Sequence, residues 1–361
     1  MAQGNGRIPA LTIGLDVSDR YSRYCALDAA GGVVEEGRVA TSEPALRRHF
    51  TGGEPARVVL EVGPHSPWIA RLVGELGHEV IVANPRRLRL IYANDRKSDR
   101  VDAEYLARVG RLDPGLLAPI THRSAATQAD RALVGSRDLA VRARTKLVNH
   151  VRGSVKAFGA RLPAGSTKSF APKAAAALPA ELAPALAPML EMIADLGRQI
   201  RRYDRQIETR ATEGYPETAL LRQVPGVGPL TALWYVLTIE DPARFRKSRA
   251  VGAYVGLVPK QSDSGDSEPQ LRITKAGDEL LRRLLVGAAH YVLGPFGPDS
   301  DLRRWGLRLA DRGGANAKKR AVVAVARKLA VLLHHLWIIG EVYEPLHNVA
   351  EPEPEAVPAM R

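Results

Sequence analysis

The chain has 361 residues, with 52 Lys and Arg against 39 Asp and Glu, a net charge of +13, and one cysteine, Cys25. That length carries two or three domains, and so large a positive excess points to a polyanionic partner, nucleic acid before an anionic membrane. One cysteine excludes a disulfide framework and a cysteine zinc site; no apolar run reads as long enough to span a bilayer and the N-terminus lacks a signal-peptide core, so a cytoplasmic chain with no membrane partner is expected.

Leu11 to Ser18 reads as a strand that carries an acid, Asp16, near its end. Tyr24 to Asp28 is a second strand, Gly31-Gly32 a turn and Val33 to Val39 a third strand; Pro44 to Phe50 is helical. Val58 to Val62 is a buried type of strand with Glu61 near its C-terminal end, Pro67 to Leu76 a helix, Glu79 to Ala83 a fifth strand, and helical stretches run on through Leu112. Three meandering strands followed by alternating helices and strands is the order of an RNase H-like α/β fold. In that order the first and fourth strands are neighbours, which sets Asp16 beside Glu61.

Lys97-Ser98-Asp99-Arg100-Val101-Asp102-Ala103 opens the helix that closes this region, and positions three apart share a helix face, so Asp99 and Asp102 point the same way. Arg86, Arg87, Arg89, Arg96, Lys97 and Arg100 surround them and suit phosphate. Four carboxylates from three elements suit hard divalent cations, and two such ions about 4 Å apart clamp the attacking and leaving oxygens of a phosphodiester. The plainer alternative has Asp16 capping a turn, Glu61 pairing with an arginine, and the other two acids on a solvated helix face.

Pro119 to Gly159 is a long helical stretch rich in bases, among them Arg123, Arg131, Arg137, Arg142, Arg144, Lys146, Arg152 and Lys156, with Leu133, Leu139, Leu147, Val151 and Val155 as an apolar stripe. Charge nearly all of one sign favours a phosphate-contacting face. Residues 162–188, rich in Pro, Ala, Ser and Lys, read as a hinge or poorly ordered linker. Leu186, Leu190, Ile193, Leu196, Ile200, Tyr203 and Ile207 then recur at steps of three and four, a heptad-like seam that packs on the preceding helix or self-associates as a coiled coil.

Val224-Pro225-Gly226-Val227-Gly228 resembles a helix-hairpin-helix turn, in which Gly226 and Gly228 would expose backbone N–H groups to phosphate at a helix N-terminus. A tight helix–helix turn without a ligand is the alternative. Ser262-Asp263-Ser264-Gly265 lies in a polar loop, and Arg272, Lys275, Arg282 and Arg283 beyond it could hold a scissile phosphate and stabilise its transition-state charge. A last helix runs from Ala321 to Trp337, and the acidic, Pro-rich tail 341–361 reads as disordered.

Together Gly14-Leu15-Asp16-Val17-Ser18, Glu61-Val62-Gly63-Pro64, Lys97-Ser98-Asp99-x-x-Asp102-Ala103, Val224-Pro225-Gly226-Val227-Gly228, Ser264-Gly265, Ile273-Thr274-Lys275-x-Gly277 and Leu281-Arg282-Arg283-Leu284-Leu285 resemble the IS110 family of bacterial insertion-sequence transposases, the DEDD or bridge-RNA-guided recombinases, from Leu11 to about Ile339. The resemblance implies an RNase H-like, RuvC-like domain over 1–118, a helical coiled-coil region over 119–215, a mostly helical transposase domain over 216–340 and a tail over 341–361. It implies that Asp16, Glu61, Asp99 and Asp102 bind Mg²⁺ and that Ser264, with Ser262 second, is a nucleophile forming a phosphoserine link to DNA. This loop departs from the family pattern: Asp263 stands between the two serines, and Asp266 and Glu268 replace a stretch that is often basic. The implied partners are donor and target DNA, a structured non-coding bridge RNA and further copies of the chain in a dimer or tetramer at the nucleoid. The expected nucleic-acid contacts are Arg96, Lys97, Arg100, Arg142, Arg144, Lys146, Arg152, Gly226, Gly228, Arg272, Lys275, Arg282 and Arg283. A RuvC-like endonuclease using metal-activated water, and a helix-hairpin-helix DNA-binding protein with merely structural acids, are the alternatives.

Overall fold

The computed structural model describes residues 10–84, 98–262 and 271–347. Arg86, Arg87, Arg89, Arg96, Lys97, Asp263, Ser264, Asp266, Glu268 and the tail from 348 onward lie outside the described residues. The chain divides between Ser124 and Ala125 into two units.

The first unit is built on a five-stranded sheet: β1 (Leu11–Asp16), β2 (Tyr21–Asp28), β3 (Val33–Ala40), β4 (Arg57–Glu61) and β5 (Glu79–Ala83), in the order β3-β2-β1-β4-β5. β1 pairs antiparallel with β2 and parallel with β4, so the first and fourth strands are neighbours as their order in the sequence implied. The near-continuous apolar run of β1 reflects burial on both faces. On one face Ile13, Leu15, Val58 and Leu60 pack with Leu46 and Phe50 of α1 (Glu43–Phe50) and with Ile69, Leu72 and Val73 of α2 (Ser66–Glu75). The other face carries α3 (Asp99–Leu112), whose Ala103 and Ala107 pack with Cys25 and Leu27, and whose Leu106 packs with Val59 and Ile81. β3 is an edge strand, exposed through Val33 to Glu36, and its charged residues guard it against adventitious pairing. Beyond β5, Ile120 bridges to Val82 and shields the other edge.

Helices make up the second unit: α4 (Ala125–Ala157), α5 (Phe170–Ala176), α6 (Ala183–Gly214), α7 (Thr218–Leu221), α8 (Pro229–Ile239), α9 (Arg249–Tyr254), α10 (Glu279–Leu293), α11 (Asp301–Ala310) and α12 (Ala317–Ile339). α4 and α6 form an antiparallel hairpin: Asp130 near the start of α4 binds Arg210 near the end of α6, Arg137 binds Asp204, and Val148, Val151 and Val155 pack with Leu186, Leu190 and Ile193. The heptad-like seam is therefore occupied within the chain, with Leu186, Leu190, Ile193, Ile200 and Ile207 buried.

Four expectations are corrected here. Residues 162–188 are not an unstructured hinge, because Phe170, Ala171 and Ala174 give α5 an apolar face that closes the hairpin tip. Along α4 the buried face runs through Asp130, Val134 and Asp138, while Leu139 points to solvent. Residues 341–347 are folded: the Asp301 N–H donates to Pro345 O at 2.7 Å and the Tyr343 N–H to Gln223 Oε1 at 2.8 Å. α12 is also long and apolar enough to cross a membrane, contrary to the reading of the sequence alone; its Val325, Leu329 and Leu333 lie in the core against α8, which is buried from Thr231 to Ile239.

Candidate active site

Side chains alternate between the faces of a strand. Leu15 pairs with Leu60 in the parallel register of β1 and β4, and both face α1 and α2. One residue further on, Asp16 and Glu61 end their strands side by side on the α3 face, in line with Gly14 and Val59. α3 runs antiparallel to β1. Its Ala103 lies over Gly14, while Gly110 lies over Val59 and accepts from Arg57 at 3.0 Å near the strand's start. The first turn of α3, with Asp99 and Asp102, is thus at the level of Asp16 and Glu61. Ser98 caps that turn by accepting from the Val101 N–H at 3.4 Å, and the acids there also favour the positive end of the helix dipole.

The backbone places the four acids on one face of one sheet end, but the side chains are not drawn together. Among the described residues, no group of three or more His, Cys, Asp and Glu side chains could hold a metal ion as it stands. By chemistry the donor set fits a hard divalent cation, since all four are carboxylates.

A polar network fixes the loops that leave the two acid-bearing strands. His65 Nδ1 accepts from Trp68 Nε1–H at 3.1 Å, which leaves Nε2–H to donate to Asp19 Oδ1 at 3.2 Å, joining the loop after β4 to the loop after β1. Ser66 Oγ donates to Gly63 O at 2.8 Å, accepts from Gly63 N–H at 3.0 Å and lies 2.9 Å from His122 Nε2. Burial, then the charges of Arg71 and Arg123, push the His122 imidazole below its usual value.

The expected phosphate contacts divide into two groups. Several are engaged internally. Arg282 Nη1 donates to the carbonyls of Val255, Ala276 and Gly277 at 3.2, 2.6 and 3.2 Å. Arg283 and Arg142 share Asp138 at 2.8 and 3.0 Å, and Arg100 reaches Glu36 at 3.3 Å. Gly226, with φ 87°, turns toward α10, where a Cβ would sit 3.0 Å from Ala288 O. Others face outward: Lys146, Arg152, Arg272 and Lys275 are exposed, and Gly228 caps α8 with open space where its Cβ would be. Arg144 is half-buried.

Ser262 is exposed at the foot of its loop, and the base of that loop is a short ladder. Lys260 N–H donates to Arg272 O at 2.9 Å, Thr274 N–H to Val258 O at 2.9 Å and Lys275 N–H to Gly256 O at 3.1 Å. Gly256 and Gly277, at φ 75° and 73°, press against Ala276 and Tyr254 backbone, where any Cβ would collide.

Sequence reasoning missed Asp278. It caps α10 by accepting from Leu281 N–H at 2.8 Å, accepts from Trp234 Nε1–H at 2.8 Å and pairs with Arg131 at 2.8 Å, whose guanidinium stacks 4.0 Å from the Trp234 ring centre. An Asp immediately before an apolar-periodic helix was the available signal. Burial would raise the Asp278 carboxyl, but the Leu281, Trp234 and Arg131 donors outweigh it and hold the carboxyl below the usual range.

Residues 13–159 match a DEDD transposase model, and residues 218–301 match the model described as transposase IS116/IS110/IS902 family. The chain is 30% identical over 341 residues to a probable family 20 transposase of Pseudomonas aeruginosa, covering 92% of this chain and 98% of that one. It is 27% identical over 339 residues to the transposase for insertion sequence element IS1111A of Coxiella burnetii, with 92% and 90% covered. A pilin gene-inverting protein of Moraxella lacunata is 30% identical over 115 residues, 32% of this chain and 34% of that one. The chain belongs to the IS116/IS110/IS902 family of transposases, and with it is an enzyme of DNA transposition and recombination. Its DEDD domain implies dependence on a divalent metal in general.

Proposed function

We propose that the chain cuts and rejoins DNA strands through an RNase H-like, RuvC-like domain over 1–118 and a serine nucleophile in a transposase domain over 216–340, with the helical region 119–215 between them. The observation that carries the reading is the placement of Asp16 and Glu61 at the ends of adjacent parallel strands, on the face that α3 packs against. Asp16, Glu61, Asp99 and Asp102 would hold Mg²⁺, which when bound supplies Lewis-acid polarisation of the scissile phosphate. Ser264 Oγ bonds to the phosphorus as the bond to the leaving DNA oxygen breaks, and the hydroxyl proton ends on that leaving oxygen. The phosphoserine ester keeps the bond energy for rejoining. Gene inversion, the printed role of one relative, requires both cutting and rejoining, which favours this over simple hydrolysis.

Donor and target DNA are the substrates, a structured non-coding RNA guides the choice of site, and a dimer or tetramer acts at the nucleoid. Base pairing would then read sequence while the protein reads backbone. The Gly226-Val227-Gly228 turn serves in this reading as a helix-hairpin-helix-like grip on backbone, with open Gly228 as its contact and Gly226 as its hinge on α10.

A denaturing gel of the protein incubated with labelled DNA and Mg²⁺ tests the nucleophile. Wild type should show a covalent protein–DNA band, Ser264→Ala should lose it and Ser262→Ala should keep it. A band that vanishes only in Ser262→Ala moves the nucleophile to Ser262. Cleaved DNA with no band in any protein makes the enzyme a water-using nuclease instead.

A further inference from the structure

The hairpin of α4 and α6 changes character at its waist. Aliphatic residues pack toward the tip, around Val148 and Ile193, and at the other end Val134, Ile207 and Ala211 are buried beside the acid–base pair of Asp130 and Arg210. Between them the buried residue on α6 is Gly197, and Arg144 comes across from α4. A Cβ on Gly197 would have Arg201 Nη1 at 3.8 Å and Arg144 Nη1 at 3.9 Å. Two guanidiniums thus flank a patch of helix backbone that carries no side chain.

The charges at this point are unbalanced. Arg144 Nε is buried and lacks a hydrogen-bond partner among the described residues, although a guanidinium has five donors to satisfy. Arg137 stands near as a third cation and is paired with Asp204 at 2.9 Å. Burial first, then Arg137, push Arg144 below its usual value; Asp204 opposes this and Arg201 adds to it. A cluster of three guanidiniums around one carboxylate is relieved by an added anion. Guanidinium planes bind phosphate through paired N–H donors, and Arg201 is exposed while Arg144 is half-buried beside it.

We infer that the guanidiniums of Arg144 and Arg201, brought together beside the buried Gly197, are a seat for one nucleic-acid backbone phosphodiester. The inference rests on the reading of the chain as a nucleic-acid enzyme and adds to it a contact, Arg201, outside the residues assigned above. The seat recognises phosphodiester, so DNA and RNA are both candidate sources. It carries no base readout.

Binding of the full chain to labelled duplex DNA and to structured RNA, each over a range of salt, tests the seat. Arg201→Gln, at an exposed position, should flatten the slope of log K against log salt by about 1, as should Arg144→Gln. Gly197→Ala keeps every charge, and its methyl meets neighbours only at ordinary contact distance, so it should fold with an unchanged or higher Tm and keep the wild-type salt slope. Effects on one polymer alone name that polymer as the occupant. Wild-type affinity and slope in both Arg201→Gln and Arg144→Gln overturn the seat and leave the nucleic-acid reading standing. A wild type that binds neither polymer overturns both.

Discussion

Gly14 and Ala103 touch backbone to backbone: a Cβ on Gly14 would collide with the Ala103 carbonyl oxygen and lie 2.6 Å from Ala107 N. That contact seats α3 directly on β1, two residues before Asp16 and one residue after Asp102. Helix and strand can approach this closely only because the strand residue is glycine and the helix residues are alanines. Gly14→Ala should push α3 off the sheet, cost about 1–3 kcal/mol by overpacking and lift Asp99 and Asp102 away from Asp16 and Glu61. Thermal unfolding reads the first effect and the metal concentration needed for DNA cleavage reads the second. A variant with wild-type metal dependence would mean that α3 does not set the position of the acids.

Asp16→Asn and Glu61→Gln keep the size and hydrogen-bonding capacity of each side chain while removing its charge. Each should abolish strand cleavage and leave the circular dichroism spectrum and Tm close to wild type, because both residues are only half-buried at strand ends. Retained cleavage in both would remove these two residues from the site.

The Asp278 carboxylate joins α10 to Trp234 of α8 and Arg131 of α4. Asp278→Ala should destabilise the helical unit by about 3 kcal/mol, since it leaves the Arg131 charge and the Trp234 N–H without their acceptor. The pH dependence follows from the depressed carboxyl. Its contribution is complete above the unfolded carboxylate value of about 3.9 and is lost as pH falls through the lower folded value. Wild type should therefore lose stability relative to Asp278→Ala only in that acid window, and urea unfolding at pH 7 and at pH 3 compares the two.

Arg282 and Arg272 should separate cleanly in a salt titration. Arg282→Gln removes a side chain whose Nη1 already serves three carbonyls, so it should loosen the base of the serine loop and reduce the covalent adduct while leaving the salt slope of DNA binding unchanged. Arg272→Gln removes an exposed charge beside that loop and should flatten the slope by about 1 if it contacts phosphate. An equal drop in slope for both would put Arg282 on the nucleic acid.

The strand order and the neighbouring of Asp16 and Glu61 could be read from sequence because a buried central strand has a near-unbroken apolar run and a fixed two-residue parity. Helix placement was legible wherever period and capping agree, as at Ser98 before Asp99. What sequence could not supply was the partner of each charge. Arg131 and Arg283 lie in runs of bases that look outward, yet their acids, Asp278 and Asp138, are 147 and 145 residues away along the chain. A count of Lys and Arg sees sign without seeing such pairings. The same blindness hid Gly197: one glycine within a heptad pattern looks like a weak point in a seam, and only the facing helix reveals that Arg144 joins Arg201 beside it.

The antiparallel hairpin has arms of 33 and 32 residues, each about 50 Å long at the rise of an α-helix. Its tip is closed by aliphatic packing with α5, and its other end by charged pairs beside the buried Val134, Ile207 and Ala211. Seven residues added to both arms would keep every side chain on its own face and carry the tip about 10 Å further out. Within the helical unit the hairpin can therefore lengthen in whole-heptad steps while the packing at each of its ends is kept.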